Sequence, residues 1–351
     1  MRDYSLTGDD GRRAVASGLS AVEWYRTPVP RQRMKQLMQR NDRRALIDTA
    51  IWIGGMIVLG TAGALLWPSA WCIPAFLAYG VLYGSASDSR WHECGHGTAF
   101  KTRWMNTVVY QLACFMMMRD PTCWRWSHTR HHTDTIIVGR DPEIVTTRPP
   151  HLLKVVANFF GLFDVPAALR VMVVHASGRL TNEEGTYVPE SERHRTIRTA
   201  RIWLLIYAAT ITACVIFGSI VPVLLVGLPR MYGAWHHLMT GLIQHAGLAD
   251  NVTDHRLNSR TVYMNPISRF VYWNMNYHLE HHMYPMVPYH ALPSLHEEIK
   301  YDLPAPTASI AAAFGEFLPV LLRQRRDPEA TINRQLPDGT MLAQQSSGGA
   351  S

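Results

Sequence analysis

Charge is missing from two long stretches of this sequence. From Thr49 to Ser87 there is no Asp, Glu, Lys, Arg or His, and the run is broken only by Trp67-Pro68-Ser69. A soluble domain rarely leaves so long a stretch uncharged, whereas two bilayer spans of about 20 residues each need that length. From Ile202 to Ala249 the only charged side chain, histidines aside, is Arg230. That run also accommodates two spans, folding back near Gly218 to Pro222 and leaving Arg230 at membrane depth, where a charge must face protein or water. Cysteine is scarce as well: Cys72, Cys94, Cys114, Cys123 and Cys214 form no CxxC pair. Their spacing argues against a disulfide framework, a rubredoxin-like site and a thiolate zinc site, and several of them, lying in apolar sequence, are expected to be small core residues.

What charge there is concentrates at the start. Arg12, Arg13, Arg26, Arg31, Arg33, Lys35, Arg40, Arg43 and Arg44 precede the first apolar run. No apolar segment of signal-peptide type comes before them, so no cleaved leader is expected. The positive-inside rule then places this arm in the cytoplasm, and two hairpins return every long polar stretch to the same side. The formal charge of +7 belongs mostly to that basic face; its expected neighbours are anionic lipid and an acidic protein partner, not nucleic acid. Met105 to Met118 is apolar but too short to span, and His151 to His175 mixes apolar residues with Lys154, Asp164 and Arg170 as an interfacial helix does.

The expected fold is therefore all-α: an integral membrane bundle of four transmembrane helices in two hairpins, spanning about 46–67, 69–88, 202–218 and 221–243, beneath a cytoplasmic helical cap. Residues 1–44 form a basic cytoplasmic arm, 45–325 the membrane domain and 326–351 a polar, disordered tail.

Histidine is clustered rather than scattered. Three clusters stand out: His92-Glu-Cys-Gly-His96, His128-Thr-Arg-His131-His132 and His278-Leu-Glu-His281-His282. Random placement of 17 histidines would give only about 0.04 HxxHH triplets by counting, and two are present, so chance is set aside. On a helix, positions i, i+3 and i+4 share a face, so each triplet is expected to aim its imidazoles at one point. Imidazole suits zinc, copper, iron or nickel. One ion takes about four such ligands, so eight imply two metals.

The pattern HECGH at 92–96, WSHTRHH at 126–132 and NYHLEHHMYPMVPYHALPSLH at 276–296, spread over two apolar hairpins, resembles the membrane fatty acid desaturase and hydroxylase superfamily over roughly residues 45–300. The stretch WYRTPVPRQRMKQLMQR at 24–40 looks more particularly like bacterial hydrocarbon-oxygenase members, including those of rhizopine catabolism. The resemblance implies a diiron centre with His92, His96, His128, His131, His132, His278, His281 and His282 as ligands, and a ninth histidine between the last span and the third box. His245 in Gln-His-Ala-Gly is the best match, with His236 and His237 as rivals.

Metal-bound imidazoles usually give their other N–H to a carboxylate or carbonyl. Asp88, Glu93, Asp134, Asp141, Asp250, Asn274, Asn276 and Glu280 lie near the boxes and are candidates for that support. The expected chemistry is attack on an unactivated C–H bond of an acyl or alkyl chain with dioxygen, most simply desaturation; an alkane or hydrocarbon monooxygenase is the near alternative. A histidine-rich zinc membrane protein is the alternative of another class. Two iron ions are the expected cofactor, with no bound haem or flavin. The chain has no HPGG haem-domain motif and no rubredoxin-type cysteine pair, so a separate ferredoxin or small cytochrome, with its reductase, is the expected electron donor.

Overall fold

The computed structural model describes residues 2–20 and 22–337, and among these every named element is helical. Two isolated bridges, Thr261 to Tyr277 and Val262 to Thr307, are the only strand-like pairings there.

Within the arm, α1 (Asp9–Ala16) and α2 (Arg31–Leu37) are short. The first long helix, α3 (Asp42–Leu66), starts where the Asn41 side chain accepts from the Arg44 N–H and stops before Pro68, which has no N–H to continue the ladder. The chain returns through α4 (Cys72–Val81), one π-turn over Leu82–Ala86, and α5 (Ser87–Gly95). Helix α6 (Arg103–Met117) ends on Met118 in the left-handed region, φ 55°. Asp120 then caps α7 (Pro121–Thr133), accepting from the Thr122 and Cys123 N–H groups with Pro121 at the first helical position. Helices α8 (Leu152–Asn158) and α9 (Asp164–Ala176) lead to the second long helix, α10 (Arg193–Phe217), which closes on Gly218 at φ 57°.

The runs Arg31–Leu66 and Glu190–Phe217 are long and apolar enough to cross a membrane. Little of either is covered by protein: Leu65 is 80% exposed and Val215 78%. An apolar face that the fold leaves open needs an apolar neighbour.

The two return arms depart from the expectation of four uninterrupted spans. The first keeps a helical course from Cys72 to Gly95 but changes pitch at the π-turn. The second is broken into α11 (Val221–Leu225), α12 (Pro229–Tyr232) and α13 (Ala234–His245). Gly227, at φ 93°, and Pro229 supply the first break, and Gly233 the second. These breaks let the arms touch. A Cβ on Gly233 would lie 1.8 Å from the Gly80 carbonyl oxygen, and one on Gly84 would lie 2.7 Å from that of Pro229. Ser85 Oγ fastens the contact, donating to the Gly233 carbonyl (2.6 Å) and accepting from the His237 N–H (2.7 Å). Arg230 is buried and points its Nε at the Met117 carbonyl, 3.4 Å away.

Past α13 come α14 (His255–Asn258), α15 (Pro266–Val271), α16 (His278–Met283), α17 (Leu292–Ile299) and α18 (Ile310–Gln324). The core that seats them holds Trp52, Tyr83, Trp91, Tyr110, Trp273 and Tyr289. The arm straps this region: Trp24 Nε1 donates to the Thr133 carbonyl, Tyr25 and Thr27 both donate to Asp302, and Arg33 pairs with Glu298. The expected tail does not begin as a loose segment. The Ile332 N–H bonds the Gly247 carbonyl, Arg334 bonds that of Ser259, and Leu336 is buried. The rest of that expected tail, 338–351, lies outside the described residues.

Candidate metal centre

Four helices deliver nine imidazoles to one buried place. Helix α5 brings His92 and His96, α7 brings His128, His131 and His132, α13 ends on His245, and α16 brings His278, His281 and His282. They sort into two groups, each with ring nitrogens within 4.8 Å of one another: His92, His96, His128, His132 and His281, and beside them His131, His245, His278 and His282. The HxxHH boxes are thus divided and do not each converge on one point. On α7, residues 128 and 132 stand one turn apart and face the first group, while 131, turned about 100° from 132, faces the second. On α16, 278 and 282 face the second group and 281 the first.

The spacing suits metal coordination. Nε2 atoms approach at 2.8 Å (His92 to His281), 3.1 Å (His96 to His128, His132 to His128) and 3.2 Å (His281 to His132) in the first group, and at 3.0 Å (His278 to His245, His282 to His278) in the second. Two nitrogens at right angles on one ion, each about 2.1 Å from it, lie about 3 Å apart. Three of the outer nitrogens say the same, while Nδ1 of His132, His278 and His281 is buried without a partner. His131 Nδ1 donates to Asp141 (2.8 Å), His128 Nδ1 to Glu143 (3.0 Å) and His245 Nδ1 to the Asn258 carbonyl (2.7 Å). Carboxylates and carbonyls only accept, so Nδ1 carries the proton and the Nε2 lone pair points inward. Burial, reinforced by neighbouring imidazoles, holds His92, His96, His128, His132, His278, His281 and His282 well below the usual histidine range. His131 is buried too, but the Asp141 carboxylate more than offsets that and raises it.

The other expected supporting residues occupy different places. Asp88 accepts from Trp91 Nε1 (2.8 Å) and faces His237 Nδ1 (3.1 Å), so His237 pairs with an acid beside the centre and stays outside both groups, as does the buried His236. Glu93 accepts from Thr98 and from the Tyr289 N–H, and burial pushes it up to about 7. Asp134 pairs with Arg130 and Arg140, Asp250 with Arg2 and Arg148, and Glu280 accepts from His296 and Thr261. Asn274 accepts from Arg269; Asn276 gives its N–H to the Val262 carbonyl and keeps a buried Oδ1 without a partner. Sequence reasoning missed Glu143, although it stands two residues after Asp141 in Asp-Pro-Glu. It also missed His255, sandwiched between His282 (5.0 Å) and Trp24 (4.2 Å). No motif announces His255.

A cavity of about 350 Å³ reaches both groups. His92, His128, His131, His245 and His278 form its floor, and Trp91, Trp124, Leu238 and Leu242 wall it, with Arg119 and Lys154 also on its lining. A small apolar group in the cavity can therefore stand next to either set of histidines.

Two adjoining polyhistidine groups of this kind could each hold a metal ion, and comparison with known proteins gives the family that carries them. Residues 67–312 match the fatty acid desaturase family, and the chain belongs to that family. It is similar to a probable fatty acid desaturase of Sorghum bicolor (25% identity, covering 68% of this chain and 66% of that protein). It is also similar to two proteins of Arabidopsis thaliana. One is an endoplasmic reticulum acyl-lipid omega-3 desaturase (cytochrome b5), at 21% identity over 68% of this chain and 64% of that protein. The other is a chloroplastic sn-2 acyl-lipid omega-3 desaturase (ferredoxin), at 23% over 67% and 55%. The chain spans just under two thirds of the length of the first two.

Proposed function

We propose that this chain is a membrane diiron desaturase acting on a fatty acyl or similar lipid-like chain. The observation that carries the reading is the pairing of five and four buried or half-buried imidazoles whose mutual spacing suits two adjacent coordination spheres. Nitrogen donors of this kind suit iron, and the chain's family supports iron over zinc. Two ferrous ions in these groups would supply the reductive activation of dioxygen needed to take hydrogen from an unactivated C–H bond.

The rest falls to the protein. Asp141, Glu143 and the Asn258 carbonyl fix ring orientation and the Nδ1–H tautomer. Trp91 and Trp124, packed edge to face at 4.7 Å, keep the cavity wall apolar. Overall, neighbouring carbons of the substrate lose two hydrogens, and dioxygen with two electrons and two protons leaves as two waters.

The exposed apolar faces of α3 and α10 support insertion in a bilayer, with the two return arms completing a four-segment bundle and the cap, both termini and the metal centre in the cytoplasm. Residues 1–44 are then a cytoplasmic strap and 45–325 the membrane domain. The names of the two Arabidopsis relatives include cytochrome b5 and ferredoxin, which supports a separate one-electron carrier docking on the basic face. The test is lipid and hydrocarbon profiling of cells with and without the chain and a ferredoxin system, under labelled dioxygen. An alkene with label only in water is expected. An alcohol carrying the label would make the chain a hydroxylase, the direction in which the 24–40 stretch points.

A further inference from the structure

A second kind of ligand group lies on the far side of α7. Cys123 sits in the first turn of that helix, five residues before His128; His175 is in the last turn of α9; Glu184 opens a short 3-10 turn ahead of α10. Their ligand atoms all lie within 4.8 Å of one another, and Cys123 and His175 are buried. His175 Nε2 stands 2.8 Å from a Glu184 oxygen that also accepts from Thr181. A hydrogen-bonded lock would explain those two residues alone. It does not explain Asp120, which lies beside the Cys123 thiol: its Oδ1 caps α7 and accepts from Thr196, while its Oδ2 is buried with nothing but that thiol to meet it. An unsatisfied buried carboxylate oxygen is costly and asks for a cation. A cavity of about 280 Å³ adjoins the group, so an ion has a way in.

We propose that Cys123, His175 and Glu184 bind a zinc ion that pins the second-box helix to the corner between α9 and α10, the neighbouring Asp120 carboxylate turning in to complete the shell when the ion binds. One thiolate, one imidazole and carboxylate oxygens form a donor set that zinc accepts in tetrahedral array, and four protein donors with no open position mark a structural site rather than a catalytic one. The assignment does not depend on the desaturase reading, since no residue of the nine-histidine centre takes part. It also revises the reading of Cys123 as a small core residue.

The test uses the full chain, purified in detergent after expression in iron- and zinc-replete cells. X-ray absorption at the zinc edge should show sulfur in the zinc shell, with about one zinc per chain by elemental analysis. Cys123→Ser and His175→Gln should each lower zinc by roughly tenfold or more while iron per chain stays the same. Cobalt added in place of zinc should give a thiolate charge-transfer band that Cys123→Ser abolishes. Zinc with only nitrogen and oxygen neighbours, or no bound zinc and no cobalt–thiolate band in the parent chain, would overturn the proposal and leave a hydrogen-bonded lock. The parent chain's spectra decide this even if a variant fails to fold.

Discussion

Replacing Asp141 by Asn or Glu143 by Gln keeps the side-chain shape but removes the negative charge and turns one of its two acceptor oxygens into a donor group, weakening the hold on the Nδ1–H of His131 or His128. Each variant is expected to lose roughly 10–100-fold in metal affinity or turnover. Asp134→Asn, which only frees two arginines, should bind iron as the parent does. Equal iron retention and activity in all three would show that these carboxylates do not tune the centre. His245→Ala strips one of the four imidazoles of the second group and should bring iron from about two per chain toward one, whereas His236→Ala should keep both; elemental analysis of purified variants distinguishes the outcomes. The box histidines were legible in the sequence because i, i+3, i+4 spacing is a pattern one helix can display. Their division between two groups was not, because it depends on how α7 and α16 are rotated against each other. Glu143 is a single acid without periodicity, and Asp120, Cys123, His175 and Glu184 come from segments that only the fold brings together.

Among the elements, the contact between the return arms is the least forgiving. Gly233→Ala would drive a methyl group into the Gly80 backbone, and backbone has no rotamer with which to yield. A loss of about 1–3 kcal/mol or more is expected, read as a lower fraction of monodisperse protein in detergent and a lower unfolding temperature. Gly54→Ala on α3 is the control: nothing lies within 4 Å of its added Cβ, and alanine favours helix by about 1 kcal/mol. If Gly233→Ala behaved like Gly54→Ala, the arms would not pack as described. Hydropathy located the hairpins and the turns at Pro68 and Gly218, since charge-free runs and Gly/Pro punctuation are sequence properties. It did not show that the second return arm is three short helices, because Gly227, Pro229 and Gly233 add little to an average over about 20 residues. Nor did it show that Ile332 to Leu336 pack on the body, where a few hydrogen bonds and one buried leucine outweigh a polar composition.

For the whole molecule, the four-segment arrangement predicts that single cysteines at the exposed positions Ser17 and Thr186 react with an impermeant reagent from the cytoplasmic side, and that Ser69, exposed at the first hairpin turn, reacts from the other. Thr186 reacting together with Ser69 would place the segment between α9 and α10 across the bilayer from the arm and undo the proposed topology. The metal centre also has a history written into its chain separations. His92 meets His281 across 189 positions and His281 meets His132 across 149. Contacts that distant form only after long loops have closed, which slows their assembly. During synthesis the first two boxes emerge long before α16, so the early chain carries four of the five imidazoles of the first group but only His131 of the second. Full metal loading would thus be a late event, and a chain that acquired it would already have brought α5, α7, α13 and α16 together: the ions would serve the cell as a certificate of completed folding.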